Sequence, residues 1–575
     1  MRRSALRLYA PFIALALAQA AFVVFAPSKG ETNNPLASVQ AGQFQGGGNA
    51  AGGSSGSTGF SSGDGSSTGG STAAGGGAAS SGGGGGSSAA AVGSTGGGGG
   101  DTGVAAQGDT SHCKGDRQTD VIYNSPPCEA AFTGDNGGAT YPGVTDKEIK
   151  FVDFTCQPNE QVNAILATQG LAASSDETRA MIDAVTRWMS KTYEFYGRTI
   201  KWEYVIGDCP TTPPDPAKAR QAAAEVAKTH PFAVLVSGGG SAAADVFAQN
   251  GILALGVPWN GQEFYAARRP FRWDIFPTGT ESATWLSEYY CKKLAGKGAS
   301  NSGQVIHPQI GPRGTKRKLG IIVPDDGTGT SVPSAKKLQA AAKECSGVDV
   351  PLFTYQSDIN RAQEQTRATV AGLINAKVTT VVCMCDPIAP VFLTNGMTQN
   401  NYYPENMLPG LGLLDYDVLG RLYDPAQWSH AFGPSQLAQP VPFDQSDASK
   451  IWRAAGNEGK PCNGCNLITG YLTNLGAMIQ MAGPNLNPLT VEQALVGNQY
   501  HRGGWNETGG KPDIYLIKYG KDDYNAISDF REVYWSATAT SIIDGKQGAY
   551  VPVNNGKRYA GGELDGSFSI APAPN

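Results

Sequence analysis

The sequence predicts an α/β protein built as two doubly wound parallel-sheet lobes, and three observations carry that prediction. Short apolar, β-branched runs alternate with stretches of helical period; the alternation restarts near residue 279; and residues 231–261 spell strand, glycine turn, helix, strand. In that unit, residues 232–236 form an unbroken apolar run that reads as a strand buried on both faces. Gly238, Gly239 and Gly240 follow, and Ser241 stands where a helix N-cap is expected. Gly251 reads as the helix stop, and residues 252–257 as a second buried strand closed by Pro258. Such a turn presents backbone N–H groups and a helix N-terminus at the carboxyl end of a parallel sheet, where open α/β sheets bind ligands.

The chain has 575 residues, ten cysteines and a net charge of −5, which excludes a nucleic-acid footprint. Arg2, Arg3 and Arg7 precede an apolar run over 11–26, so residues 1–27 read as a signal peptide or a signal anchor. Cleavage and retention as a membrane anchor both stay open, because the run is a little short of the ~20 residues that a spanning helix prefers. Either implies an exported, extracytoplasmic chain in an oxidising compartment. Residues 28–110 are mostly Gly, Ser, Ala and Thr, which cannot bury enough apolar surface to order, and are expected to form a linker.

Residues 111–142 are expected to be a lead-in stapled by Cys113 and Cys128. The first lobe is placed at 143–278, with strands at 143–156 and 199–206 and a helix at 176–196. Asp215 is the expected cap of a further helix, with Pro216 at its first position. The second lobe is placed at 279–433, with helices over 281–294, 334–344 and 359–376. Its strands are expected at 319–324, 350–355, 378–383 and 411–417. A long apolar helix spans 466–482, a last strand 513–519, and a polar C-terminal tail 536–575.

This order resembles the type I periplasmic-binding-protein family, in particular its leucine/isoleucine/valine-binding branch of ABC-transporter substrate-binding proteins. GVTDKEIKF, GRTIKWEYVIGD, VLVSGGGSAA and GILALGVP carry the likeness in the first lobe. FRWDIFPTGTESATWLSEYY, KRKLGIIVPDDGTGTS and GYLTNLGAMIQMAG with PLTVEQAL continue it. The resemblance implies two lobes joined by three crossovers, with a ligand held in the cleft between them. It returns 434–511 to the first lobe and 512–535 to the second. Its ligand contacts fall on Gly239, Gly240, Ser241, Trp259 and Asn260 in the first lobe. In the second they fall on Asp325, Asp326, Thr328, Asp386, Asp415 and Tyr416. The implied partners are a small polar ligand (an amino acid, amide or similar) and the membrane subunits of an ABC permease.

Each of these residues also has a plainer reading. A glycine-rich βα turn also serves close packing, and Asp386-Pro387 reads equally as a helix cap. Cys156 with Cys209 and Cys291 with Cys345 are expected disulfides. Cys383, Cys385, Cys462 and Cys465 are further disulfide candidates in an exported chain, with a zinc or redox site as the rival. The sequence holds no G-x-S-x-G, H-E-x-x-H or G-x-x-x-x-G-K-[ST] pattern, and its five histidines are scattered, so no enzyme, metal or cofactor is expected. The rival reading is an envelope sensor or interaction domain on the same fold, with an extracellular hydrolase a third; a screen of candidate ligands separates them.

Overall fold

A computed structural model describes residues 108–325, 327, 331–497, 500–503, 508–510 and 515–564. The signal segment and nearly all of the expected linker lie outside the described residues, as do Asp326, Thr328 and Gly329.

The first lobe opens with β1 (Glu148–Gln157), α1 (Glu160–Ala167) and α2 (Ser175–Thr192). It continues with β2 (Thr199–Pro210), α3 (Pro216–Ala227), β3 (Ala233–Val236), α4 (Gly240–Gln249), β4 (Leu253–Leu255) and α5 (Gln262–Ala266). Its sheet is wholly parallel, in the order β2-β1-β3-β4. The two-residue period of β1 explains the burial: Ile149 and Phe151 enter the core under α2, whereas Val152, Phe154 and Cys156 enter the core under α3 and α4. Asp215 caps α3 by accepting from the N–H groups of Ala217 and Lys218, as its position predicts.

The second lobe runs through α6 (Gly279–Tyr289), a π-helical turn (Tyr290–Leu294), and the small β5 (Val305–His307) and β6 (Gly311–Pro312) ribbon. Then come β7 (Leu319–Pro324), α7 (Val332–Ser346), β8 (Leu352–Tyr355), α8 (Ala362–Asn375), β9 (Thr380–Cys383) and α9 (Ala389–Gln399). β10 (Glu405–Met407), α10 (Asp417–Gly420), α11 (Pro425–Trp428) and β11 (Ala431–Ser435) complete the parallel part. The chain then returns to the first lobe as α12 (Asp447–Ala454), α13 (Cys465–Ala482) and α14 (Pro488–Val496), with α13 on α2. It crosses a third time to give β12 (Asp529–Thr540), β13 (Gln547–Pro552) and β14 (Arg558–Ala560). The second sheet has the order β13-β12-β11-β10-β9-β7-β8, with β14 also on β12. The first and third crossings lie side by side, Asp274 bridging Asn525. Arg558 of β14 ties the second to the end of the third by donating to the Leu437 carbonyl at 2.9 Å and to Asp529 Oδ1 at 2.7 Å.

Five expectations are corrected. Residues 411–416 are a loop, and the strand expected there is β10, a few residues earlier. Gly410, Gly412 and Leu413 all have positive φ, which bends the apolar run out of any ladder. The strand expected at 513–519 is absent from its described part, where Ile517 makes isolated bridges to Arg502 and Ile527. Ile517, Tyr519, Tyr524 and Ile527 pack in the first lobe's core, so this stretch belongs to the first lobe and not, as expected of 512–535, to the second. Residues 536–560 are no polar tail: β12 runs on to Thr540 and pairs with β13 and β14. Ser541, Ala549 and Tyr559 are buried there. Finally, Gly239, not Ser241, is the N-cap of α4.

The cysteines pair as Cys113–Cys128, Cys156–Cys209, Cys291–Cys345, Cys383–Cys385 and Cys462–Cys465, leaving no thiol free. Among the described residues no helix is long and apolar enough to cross a membrane.

Candidate functional site between the lobes

The glycine turn divides into a packed half and an open half. A Cβ on Gly238 would strike the Cys156 amide and the Thr155 side chain, and one on Gly239 would strike Ala243. Gly239 also has φ +82, which only glycine adopts without strain. Gly240, by contrast, has nothing within 4 Å of its would-be Cβ, so the backbone is open there. Ser241 lies inside α4 and is buried; its hydroxyl donates to Asn260 Oδ1 at 2.6 Å. Asn260 in turn donates to the Val257 carbonyl at 2.8 Å, and its own carbonyl accepts from Gly279 N–H at 2.8 Å. The Ser241–Asn260 pair therefore ties the start of α4 to the first crossing, a positioning role. Ser241→Ala leaves the buried Asn260 oxygen short of its donor. It should cost about 1–3 kcal/mol in urea denaturation while leaving the m-value unchanged.

Beyond β4 the backbone is strained. Gly256, Val257 and Trp259 all have positive φ, at +91, +56 and +73. For a β-branched residue and a bulky aromatic this costs energy that surrounding contacts must hold in place. Arg272 supplies them: its fully buried guanidinium donates to the carbonyls of Ala254 at 2.8 Å and Val257 at 3.0 Å, and also to Gly256. It is paired with buried Asp274, which accepts from the Tyr471 hydroxyl at 2.8 Å. The strained run turns the Trp259 ring against the second lobe's core. Its buried indole N–H has no hydrogen-bond partner among the described residues.

Beneath the turn lies Asp153, an acid that is 1 % exposed within the apolar β1. The exposed Ser237, the residue before the three glycines, donates to Asp153 Oδ1 at 2.6 Å. Oδ2 has no partner among the described residues. Burial pushes this carboxyl up to about 7, against the bond from Ser237, which pulls it down. Sequence reasoning passed over it, although an aspartate inside KFVDFTC is itself the signal.

In the second lobe the expected residues separate. Asp325 is exposed, and its carboxylate accepts from Gly327 N–H at 3.2 Å. Asp386 is saturated. Its Oδ1 accepts from the amides of Ile388 and Ala389 at 2.9 and 3.0 Å, and its Oδ2 from Tyr355 at 2.6 Å and Ser357 at 3.2 Å. An ammonium group there would have to displace one of these donors. Asp415 is buried beside Arg531; burial pushes its carboxyl up, while Ser435 and Arg531 pull it down. Tyr416 precedes α10 and is half-buried, its hydroxyl pushed up to about 12 by burial.

The lobes touch at several points. Thr212 of the first lobe donates to the Ser357 carbonyl at 2.9 Å, and Arg421 of the second donates to Gln169 at 3.3 Å. Leu413, held at φ +57, packs against the first lobe's core, as Trp259 does against the second's. Among the described residues no cluster of His, Cys, Asp and Glu is arranged to hold a metal ion.

No family model matches the chain, and no curated protein matches it. Among solved structures it is similar to a leucine-, isoleucine-, valine-, threonine- and alanine-binding protein from Brucella ovis in a closed conformation. That match has 13% identity and a TM-score of 0.49, over 73% of this chain and 97% of the other. It is also similar to a fatty acid ABC transporter substrate-binding protein from Thermomonospora curvata, at 16% identity and TM-score 0.47, over 76% and 100%. A third is a solute-binding protein of an ABC transporter from Rhodopseudomonas palustris BisB5 in complex with 3,4-dihydroxybenzoic acid, at 10% identity and TM-score 0.49, over 72% and 98%. At these values the likeness carries no argument about ligand, partner or transport; the two-lobed α/β architecture stands on the topology of the chain itself.

Proposed function

We propose that the protein is an extracytoplasmic solute-binding protein that takes a small polar ligand, an amino acid or amide, between its lobes and delivers it to the membrane subunits of an ABC permease. The observation that carries this reading is the Trp259 indole N–H, buried without a partner among the described residues, on a ring that a strained backbone packs against the opposite lobe's core. Strain held in this way is characteristic of ligand clamps. The first sheet adds two complementary groups at its carboxyl end. The open backbone at Gly240, on the first turn of α4, suits a carboxylate or carbonyl oxygen. The Ser237 hydroxyl, its proton directed to Asp153, turns lone pairs outward to accept from an amine or amide N–H. A ligand contacting both lobes favours their closed pairing through contacts that only that pairing offers.

The test is a thermal-shift screen of the full chain against amino acids, small amides and sugars. One class carrying both an N–H donor and a carbonyl or carboxylate should raise the melting temperature. In Trp259→Phe, which keeps a ring but removes the N–H, affinity for that class should fall about tenfold. A flat screen overturns the receptor reading in favour of an envelope sensor or interaction domain.

A further inference from the structure

A pocket lies away from the glycine turn. It has a volume of about 250 Å³ and opens where the ends of β8 and β9 meet α8 and α9, with Val162 and Thr212 of the first lobe at its rim. Ile322, Ile359, Phe392 and Leu393 supply its apolar wall. Several of the polar groups around it are already paired with one another. Tyr355 and Ser357 donate to Asp386, Thr212 donates to the Ser357 carbonyl, and Gln365 is bonded both ways to the Gln356 backbone. The wall includes the acids Asp358 and Asp386 but no Lys, Arg or His. A ligand carboxylate would therefore meet like charge with no cation to offset it, and an ammonium would meet an Asp386 whose lone pairs are taken and an Asp358 whose Oδ1 already accepts from the Asn360 N–H at 3.0 Å. The pocket is left with apolar surface and shape as its main means of recognition.

We infer that this pocket is a binding site for a small uncharged apolar molecule, of the size of one aromatic ring with a short substituent. The size follows from volume, since an apolar cavity of ~150 Å³ accepts benzene. Because Val162 and Thr212 of the first lobe line the pocket together with residues of the second, occupancy also favours the contact between lobes that Thr212 makes with Ser357.

Benzyl alcohol and benzoate, which share a ring and differ in charge, test the site on the full chain. Benzyl alcohol at about 100 times its Kd should raise the melting temperature by about 3 °C. Benzoate should bind at least about tenfold more weakly. Ala362→Phe and the milder Ala389→Leu, each confirmed folded by circular dichroism, fill the pocket and should abolish the benzyl alcohol shift. Trp259→Phe should leave it unchanged, so failure here is distinguishable from failure of the receptor reading. Equal binding of the two probes, no shift with benzyl alcohol, or a shift that survives in a folded filled variant would each overturn the proposal.

Discussion

Glu405→Leu should destabilise the protein by about 3–5 kcal/mol, because it strands the Arg317 guanidinium in the core of the second lobe. The two side chains are wholly buried and joined at both ends, Nε to Oε2 at 2.7 Å and Nη2 to Oε1 at 2.8 Å. Glu405 also accepts from the Thr380 hydroxyl at 2.7 Å and the Asn301 amide at 2.9 Å, while Arg317 donates to the Leu294 carbonyl at 2.8 Å. The pair thereby fastens the start of β10 to β9, to the end of the π-helical turn and to the loop before β5. Removing Glu405 alone leaves a buried charge with only the Leu294 carbonyl to compensate it; removing both partners removes the charge and leaves the neutral Thr380 hydroxyl, Asn301 amide and Leu294 carbonyl short of a partner. The double variant Arg317→Met/Glu405→Leu should accordingly recover part of the loss, the share due to the stranded charge. Urea denaturation of the two singles and the double measures it, and three equal losses would show that the charge itself is not what the site resists. Glu405 lies at the amino end of its strand, remote from the strand-end loops. Ligand affinity in the folded fraction should not change.

The features legible in the sequence were those set by local periodicity. The apolar run at 319–324 is β7, and Asp215-Pro216 starts α3, because burial on both faces and capping each need only neighbouring residues. The errors fell where an apolar or polar composition serves something other than its usual element. The run at 411–416 is apolar because Leu413 wedges against the other lobe, not because it is a central strand. β12 to β14 read as a tail because they belong to one end of the second sheet, where exposed positions such as Ala537 and Thr538 are tolerated. In the site, the glycines were legible because a strand-turn-helix is local. The mutual satisfaction of Ser241 and Asn260 was not, since it depends on a contact across 19 residues. The apolar pocket was beyond reach altogether, because Val162, Thr212, Ile322 and Phe392 come together only through the packing of the two lobes.

Asp153→Asn should make the protein more resistant to denaturation at pH 7.5 than the unaltered chain, and the advantage should vanish toward pH 4. The folded-state carboxyl titrates at about 7, raised from an ordinary value of 3.8 chiefly by burial. Between those values the folded chain holds a proton that the unfolded chain releases, so stability falls as pH rises through the window and levels off above it. At about 1.4 kcal/mol for each pH unit, the cost approaches about 4 kcal/mol on the plateau. Asparagine titrates nowhere in that range and escapes it. Tyr204 stands opposite Asp153 in the β1–β2 register, and Arg179 lies 5.0 Å over the Tyr204 ring rather than on the carboxyl, so no cation offsets the burial. Denaturation of both proteins at several pH values between 4 and 7.5 should show the gap widening with pH; a constant gap would mean that the carboxyl is not held in its neutral form. The same titration reaches the candidate site through Ser237. An ionised Asp153 can only accept, which fixes the serine proton inward and its lone pairs outward; a protonated Asp153 can donate, which frees the serine hydroxyl to turn. Affinity for an amine or amide ligand should therefore rise as pH passes through 7, and the rise should be absent in Asp153→Asn. A pH-independent affinity in the unaltered chain would separate Ser237 from the ligand and leave Trp259 to carry the site alone.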